Sequence, residues 1–543
     1  MSSRFVSVAV VATLRLILRI QSSSMETNSR LFYSHPRAFA TIVGLALLFL
    51  VLRVPVMYWQ PGGQDEDCYS VPGWTILQTG LPQLPHVPAR NPESVYYGAD
   101  KVLYSEPPLY FYVQALFYAI LPDGYGTARL SAACSGLLAA IVMVRIGLRS
   151  QLSVQACVWA FGLLIFSRWF YFPATSARPD ILCTALGLIA IDSMIAWQKN
   201  PQRRWLVASG VAIGFGGLTH PFALVYAVQL ALWTFARSRG WARIGNPLLL
   251  ASISILIAAL WIPLILLDTD AFLVQFRNQF LGDHGDGLAT RFLFPWKSID
   301  YHWFSPVGMI SHLGWWQSAV ALIPLIVYTV RGTLLRKDWA PLAWMALSSL
   351  YIMSSLVGPH HPVLGYWSYT ACLAFLFSGQ AIDDGIEWIS RSLSWKNQGR
   401  FLVTACMVIL ATLSFLPGAG LRTLIAHLQH RGNIDYDSPK FNRMLTEQIP
   451  DDAIVAVDTQ LLLEFVLAQK KTLIATTLPM YFRLDQVEYD YVFISRAGID
   501  TQLASRLPLE LVETFGNRED RFACYAELYR RKKDAPSTKL DSP

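Results

Sequence analysis
Apolar stretches long enough to cross a bilayer recur along this chain, separated by short basic connections and two long ones. About 20 apolar residues cross a hydrocarbon core. On that template spans are expected near 38–58, 128–147, 153–172, 180–197, 205–218, 220–236, 246–267, 307–329, 340–357, 363–380 and 401–418. Trp205 to Ala236 is too long for one upright span and short for two. The run Gly216-Gly217-Leu218-Thr219-His220-Pro221 supplies a turn that divides it. The predicted fold class is a polytopic α-helical membrane protein of about eleven spans.

Short loops rich in Lys and Arg stay cytoplasmic. Arg30 and Arg37 place the N-terminal segment 1–37 inside; its stretch Val6 to Ile20, broken by Arg15 and Arg19, is a poor span, and Met25 offers an alternative start. Arg145/Arg149, Lys199/Arg203/Arg204, Arg237/Arg239/Arg243, Arg331/Arg336/Lys337 and Arg391/Lys396/Arg400 then share that side. The loop 60–127 falls outside and is acid-rich. Within it Pro107-Pro108-Leu109 opens an aromatic segment to Leu121 that reads as a helix lying in the interface. A second outer loop, 268–306, holds Asp283-His284-Gly285-Asp286-Gly287 and Arg291. The transmembrane domain runs over 38–419. From 420 to 543 the chain turns polar, and short β-rich runs (Ala453 to Val457, Tyr489 to Ile494, Ala523 to Tyr529) alternate with helical patterns (Gln460 to Gln469, Ile499 to Arg506), the mark of a small extracytoplasmic α/β domain.

Composition agrees with lipid exposure. The chain is 53% hydrophobic and only 15% charged, against roughly 25% charged for a soluble protein, and its mean hydropathy is +0.36. Its net charge of +7 is scattered through short loops, which excludes a nucleic-acid face. The 7 cysteines show no metal-binding spacing, and nothing calls for a bridge between Cys68 and Cys524. No Walker-type loop is present; Gly210 and Gly214 read as small-residue helix packing.

The chemistry-bearing stretch is Asp65-Glu66-Asp67-Cys68-Tyr69, directly after the first span. Three carboxylates at a membrane exit are either a solvated flank or a site, since placing them against hydrocarbon is costly. Asp180, in Ala177-Arg178-Pro179-Asp180, begins a later span on the same side. Alone it reads as a helix-start acid; beside Arg129, Arg178 and His220 at neighbouring outer ends it reads as part of a site. His360-His361-Pro362 reads as a solvated loop and Asp283/His284/Asp286 as a flexible one, so no metal is expected.

Asp65-Glu66 after the first span, Pro-Pro-Leu with aromatics late in the outer loop, Thr127-Ala128-Arg129-Leu130 at the next span and Arg-Pro-Asp before a later one resemble, in that order, one family. It is the membrane glycosyltransferases of the C-type fold, the branch with the protein O-mannosyltransferases and the lipid A aminoarabinose transferase. The resemblance covers about residues 38 to 270. It implies a sugar donor on a polyprenyl phosphate, a hydroxyl acceptor (protein, lipid or glycan) and transfer with inversion outside the plasma or inner membrane. No cofactor, metal or nucleic acid is implied. Asp65 would be the base, with Glu66 and Asp180 orienting acceptor and sugar. Tyr69, Glu106, Arg129, Arg178, His220 and Arg291 are the expected substrate contacts. One departure stands out: many bacterial relatives carry Lys before Pro-Pro-Leu, where this chain has Glu106. Its carboxylate is expected to pair with Lys101 or Arg291, leaving the phosphate to Arg129 or Arg178. The competing class is a lipid-linked sugar transporter or flippase without transferase chemistry; internal repeats and polar mid-membrane helices, its usual marks, are not evident.

Overall fold
The first apolar run becomes α1 (Pro36–Val54), opened by a proline in its first turn, where the missing N–H has no helical partner to lose. The computed structural model to which it belongs describes residues 35–532 except 64, 282–286, 307, 358–363, 393–396, 416–417, 419 and 501. The Val6 to Ile20 stretch, the Asp283/His284/Asp286 cluster and the His360-His361-Pro362 motif lie outside the described residues.

After a π-helical turn (Pro55–Trp59) come α2 (Glu66–Thr79) and α3 (Leu109–Tyr118), both within the long loop. α3 buries Tyr110, Phe111, Gln114 and Tyr118 and leaves Leu116 exposed, the two-faced pattern expected of the aromatic segment. The helical body continues with α4 (Tyr125–Arg149), α5 (Val154–Phe166), α6 (Asp180–Lys199), α7 (Arg203–Gly217), α8 (Ala223–Arg237), α9 (Ala242–Ala258), α10 (Trp315–Leu334), α11 (Ala340–Val357), α12 (Ser368–Ser392) and α13 (Asn397–Phe415). Among the described residues 6 helices are long and apolar enough to cross a membrane by length and composition: Pro36–Trp59, Tyr125–Arg149, Asp180–Lys199, Ala242–Ile265, Trp315–Leu334 and Ala340–Val357. α7 and α8 meet through the expected turn at 218–222.

α6 packs against α4 and α7, and α12 against α5. Small residues permit the closest approaches. A Cβ added at Gly210 or Gly214 would come within 2.9 Å or 2.5 Å of Ile253 or Ile257 on α9, so these glycines serve helix packing. One expected boundary is corrected: α10 begins at Trp315 rather than near 307, because Gly314 takes φ 83° and ends a separate short helix (Met309–Leu313).

Beyond Gly420 the chain forms a mixed five-stranded sheet in the order β2-β1-β3-β5-β4, with β1 (Ile454–Val457), β2 (Lys471–Ile474), β3 (Tyr491–Ser495), β4 (Leu509–Gly516) and β5 (Tyr525–Arg531). β1 pairs in parallel with β2 and β3, which requires the crossover helix Leu462–Leu467, while β5 runs antiparallel to β3 and β4. β2 and β4 are the two edge strands, and neither falls in an expected β-rich run; the middle of β4 is exposed and carries Glu510 and Glu513. Cys68 and Cys524 are both buried and free.

This sheet domain sits on the same face of the helical body as the long loop. Gly62 N–H donates to the Gln460 carbonyl at 3.1 Å, and Ile474 N–H to the His86 carbonyl at 3.0 Å. Asn91 Nδ2, Val95 N–H and Ser94 Oγ donate to the successive carbonyls of Pro479, Met480 and Tyr481 at 2.6, 2.9 and 2.6 Å. Three bonds to consecutive carbonyls hold that turn as a rigid piece of the loop's surroundings.

Candidate active site
The chain leaves α1 through Pro61-Gly62-Gly63 and starts α2 with three acids that meet three different environments. Glu66 is buried, and its two oxygens accept from Arg129 Nε and Nη2 at 2.9 and 2.6 Å, a bidentate fork. They also accept from Gly63 N–H at 2.7 Å and Ala177 N–H at 2.8 Å. These donors outweigh burial and hold the Glu66 carboxyl below the usual range. Arg129 turns its remaining donors to the carbonyls of Val56, Gln60 (3.0 Å) and Pro61 (2.8 Å). Every guanidinium nitrogen is thus occupied by protein. Arg129 clamps the end of the first span and has no donor left for a phosphate.

Asp67 is buried on the opposite side of the helix start. The Tyr125 hydroxyl donates to its Oδ1, while its Oδ2 finds no partner among the described residues. Burial, then the nearby Glu66 and Asp458 charges, raises its pKa well above the usual value. Tyr125 also accepts from Leu463 N–H at 3.4 Å and lies 3.3 Å from the Thr459 carbonyl, so this pair is the seam between helical body and sheet domain.

Asp65 alone among the three is open, its side chain 50% exposed. Its Oδ2 accepts from Arg178 Nη1. Arg178 is buried, and its Nε donates to Asp180 Oδ2 at 2.9 Å. Among the described residues none accepts from Arg178 Nη2. The guanidinium lies 5.2 Å from the Tyr69 ring and 5.9 Å from the Tyr366 ring. Asp180, the first residue of α6, is buried beneath Gly365; a Cβ at that glycine would come 3.0 Å from Oδ2, so only glycine lets the loop close over it. His220 Nε2 faces Asp180 Oδ1 at 3.8 Å, and its Nδ1 accepts from Phe222 N–H at 3.2 Å, which leaves the ring proton on Nε2 toward the carboxylate.

Glu106, just before Pro107-Pro108, enters the same group. Its Oε1 accepts from the Tyr69 hydroxyl at 3.2 Å and lies 3.5 Å from Gln279 Nε2; its Oε2 is buried and finds no partner among the described residues. Burial first, then the Asp180 charge, pushes its pKa up to about 8. The expected pairing with Lys101 or Arg291 is corrected: no described ion pair includes Glu106, and Arg291 Nη1 donates instead to the Leu356 carbonyl at 2.9 Å. A carboxyl that stays protonated needs no cation. Gln275 fixes the segment before Glu106, its Oε1 accepting from Tyr104 and Ser105 N–H at 2.7 and 2.8 Å and its Nε2 donating to the Tyr97 and Val102 carbonyls at 2.8 and 3.0 Å.

The structure thus brings together Asp65, Tyr69, Glu106, Arg178, Asp180 and His220 and ties Glu66 to Arg129 at their edge, while the described bond of Arg291 goes to Leu356. Sequence reasoning missed Tyr366, Gln275 and Gln279. Each comes from a distant segment, and no local motif marks it. Among the described residues no group of three or more His, Cys, Asp or Glu side chains is arranged to hold a metal ion.

Residues 105–266 match the family model of the dolichyl-phosphate-mannose-protein mannosyltransferases. No curated protein matches the chain. Among solved structures it is similar to ArnT from Cupriavidus metallidurans bound to undecaprenyl phosphate, with TM-score 0.57 and 14% identity over 92% of this chain and 99% of that one. It is also similar to the oligosaccharyltransferase AglB from Archaeoglobus fulgidus in complex with an inhibitory peptide and a dolichol-phosphate, with TM-score 0.52 and 12% identity over 93% of this chain and 75% of that one. With the family match spanning Glu106, Arg129, Arg178, Asp180 and His220, and the shared fold spanning nine-tenths of the chain, the resemblance is to the C-type-fold polyprenyl-phosphate-sugar glycosyltransferases.

Proposed function
We propose that the protein is an integral membrane glycosyltransferase. It transfers a hexosyl or pentosyl group from a polyprenyl-phosphate donor to a hydroxyl acceptor, with inversion. The reaction takes place at the extracytoplasmic face of the plasma or inner membrane, and the sheet domain, 420–543, lies on that side of about eleven spans. Lipid phosphates bound by ArnT and AglB support the donor class.

The observation that carries the reading is the pairing of half-exposed Asp65 with buried Arg178, whose Nη2 no described residue occupies. A hydroxyl is a weak nucleophile at neutral pH, and a carboxylate placed against its proton assists attack. The acceptor oxygen bonds to the anomeric carbon as the bond from that carbon to the phosphate oxygen breaks. Asp65 takes the hydroxyl proton, and the leaving electron pair stays on the lipid phosphate. Single displacement from the face opposite the phosphate inverts the centre. The leaving group is already an anion and requires a cation, for which the planar Arg178 fork is suited. Asp180 and His220 hold Arg178, and Glu66 ties the helix start to the Ala177-Arg178 turn.

The test is turnover of a synthetic undecaprenyl-phosphate sugar by the purified protein in detergent. A covalent glycoside or free sugar released in an Asp65-dependent way is expected. Movement of the intact lipid across proteoliposomes with no covalent product would instead establish the flippase.

A further inference from the structure
The sheet domain sets an aromatic turn against the long loop beside the site. Tyr481 lies in the turn whose carbonyls are pinned by Asn91, Ser94 and Val95. Its ring stacks on that of Tyr96 at 6.0 Å between centroids and 26° between planes, and the Tyr96 hydroxyl meets the Cys68 thiol one helical turn from Asp65. Tyr481 is partly exposed, and none of the described residues bonds its hydroxyl. Burial, then the Asp65 carboxylate, lifts its phenol above the usual tyrosine value. Asp65 therefore has two unlike flanks. One carries Arg178 between Tyr69 and Tyr366 and suits an anion. The other is a pair of neutral tyrosine rings beside the exposed apolar side chains of Leu478 and Met480.

Resting on the donor chemistry proposed above, we propose that Tyr481, stacked on Tyr96, is the acceptor-side wall of the site and holds an uncharged, apolar face of the hydroxyl acceptor against Asp65. Flat aromatic faces held by backbone bonds bind such groups with little ordering cost. A water molecule needs no such wall, so hydrolysis of the donor separates acceptor positioning from donor binding and chemistry.

The experiment compares wild type, Tyr481→Ala and Tyr481→Phe using synthetic undecaprenyl-phosphate mannose. Transfer is measured to a detergent extract of the native membranes, and release of mannose to water is measured with no acceptor added. Removal of an aromatic stacking face typically costs about ten-fold or more. Tyr481→Ala should lose transfer by that factor through a higher apparent KM for the extract, keep hydrolysis near wild type, and melt at the wild-type temperature. Tyr481→Phe should keep both activities. Unchanged transfer in Tyr481→Ala, or equal loss of transfer and hydrolysis, overturns the proposal. Absence of both reactions in wild type with every sugar of a hexose and pentose series overturns the donor reading, and this inference with it.

Discussion
The Glu106 carboxyl accepts a hydrogen bond from the Tyr69 hydroxyl at 3.2 Å and has no cation among its described ion-pair partners. With its pKa pushed up to about 8, it is mostly protonated near pH 7 and ionises as the pH rises through that value. On the proposed donor site, the new charge then stands beside the lipid phosphate. Donor affinity of wild type should therefore fall above about pH 8, and Glu106→Gln should abolish that alkaline limb while matching wild type below it. Glu106→Lys should bind donor no worse than wild type. Titrating binding of a fluorescent undecaprenyl phosphate from about pH 6 to 9 checks both; a limb that persists in Glu106→Gln assigns it to another group.

Asp65→Asn keeps the size and removes the base. Loss of a positioned general base typically costs about a hundred- to ten-thousand-fold in rate. The expected outcome is that loss in kcat with donor binding retained, measured by single-turnover transfer. Near-normal turnover in a folded variant would move the base elsewhere.

Arg178 and Arg129 should separate cleanly. Arg178→Ala removes the guanidinium whose Nη2 meets no described acceptor and should weaken lipid-phosphate binding at least ten-fold, a charge-assisted hydrogen bond being worth roughly 1.5–3 kcal/mol. Arg129→Ala breaks the buried fork to Glu66 and should destabilise by about 3–5 kcal/mol, leaving the donor affinity of the folded fraction intact. Melting curves and donor titrations on the same preparations decide the matter. Weaker binding in Arg129→Ala with unchanged melting would return the phosphate to Arg129.

Asp67 gives a stability prediction whose sign follows from its raised pKa. In the unfolded chain the carboxyl ionises above its usual value, 3.8. The folded protein keeps the proton to a much higher pH. Between those two values each rise in pH favours unfolding. Asp67→Asn removes that penalty and can still accept from Tyr125. Its melting temperature relative to wild type should therefore rise more at about pH 7 than at about pH 5. An equal shift at both would mean that Asp67 is ionised in the folded protein.

Much of this site was legible because its members sit at segment ends. Asp65 follows an apolar run and Asp180 opens one, so sidedness alone puts both on one face, and the turn at His220 falls beside them. What periodicity cannot supply is which partner each charge takes. Arg129 and Arg178 both sit at outer helix ends, yet Arg129 meets a Glu66 oxygen pair and a ring of carbonyls, whereas Arg178 keeps a nitrogen open. Tyr366 and Tyr481 reach the site from segments hundreds of residues away from Asp65, and a lone tyrosine carries no signal of its destination. The edge strands β2 and β4 escaped for a different reason: β2 is only four residues long, and the exposed β4 has no buried face to impose alternation.

The place of β5 in the sheet carries a consequence for biosynthesis. The last strand among the described residues lies between β3 and β4, not at an edge. Until Tyr525–Arg531 has been synthesised and delivered, β3 has one side unpaired and β4 has no neighbour at all. The sheet closes only after Tyr525–Arg531 has been made, and the turn bearing Tyr481 precedes that closing strand by more than a whole strand–helix unit. A nascent chain therefore has the segments bearing Asp65 and Arg178 in hand well before the sheet packed beside the long loop has matured. The order of the strands makes closure of this sheet wait for β5, the last made of its five strands.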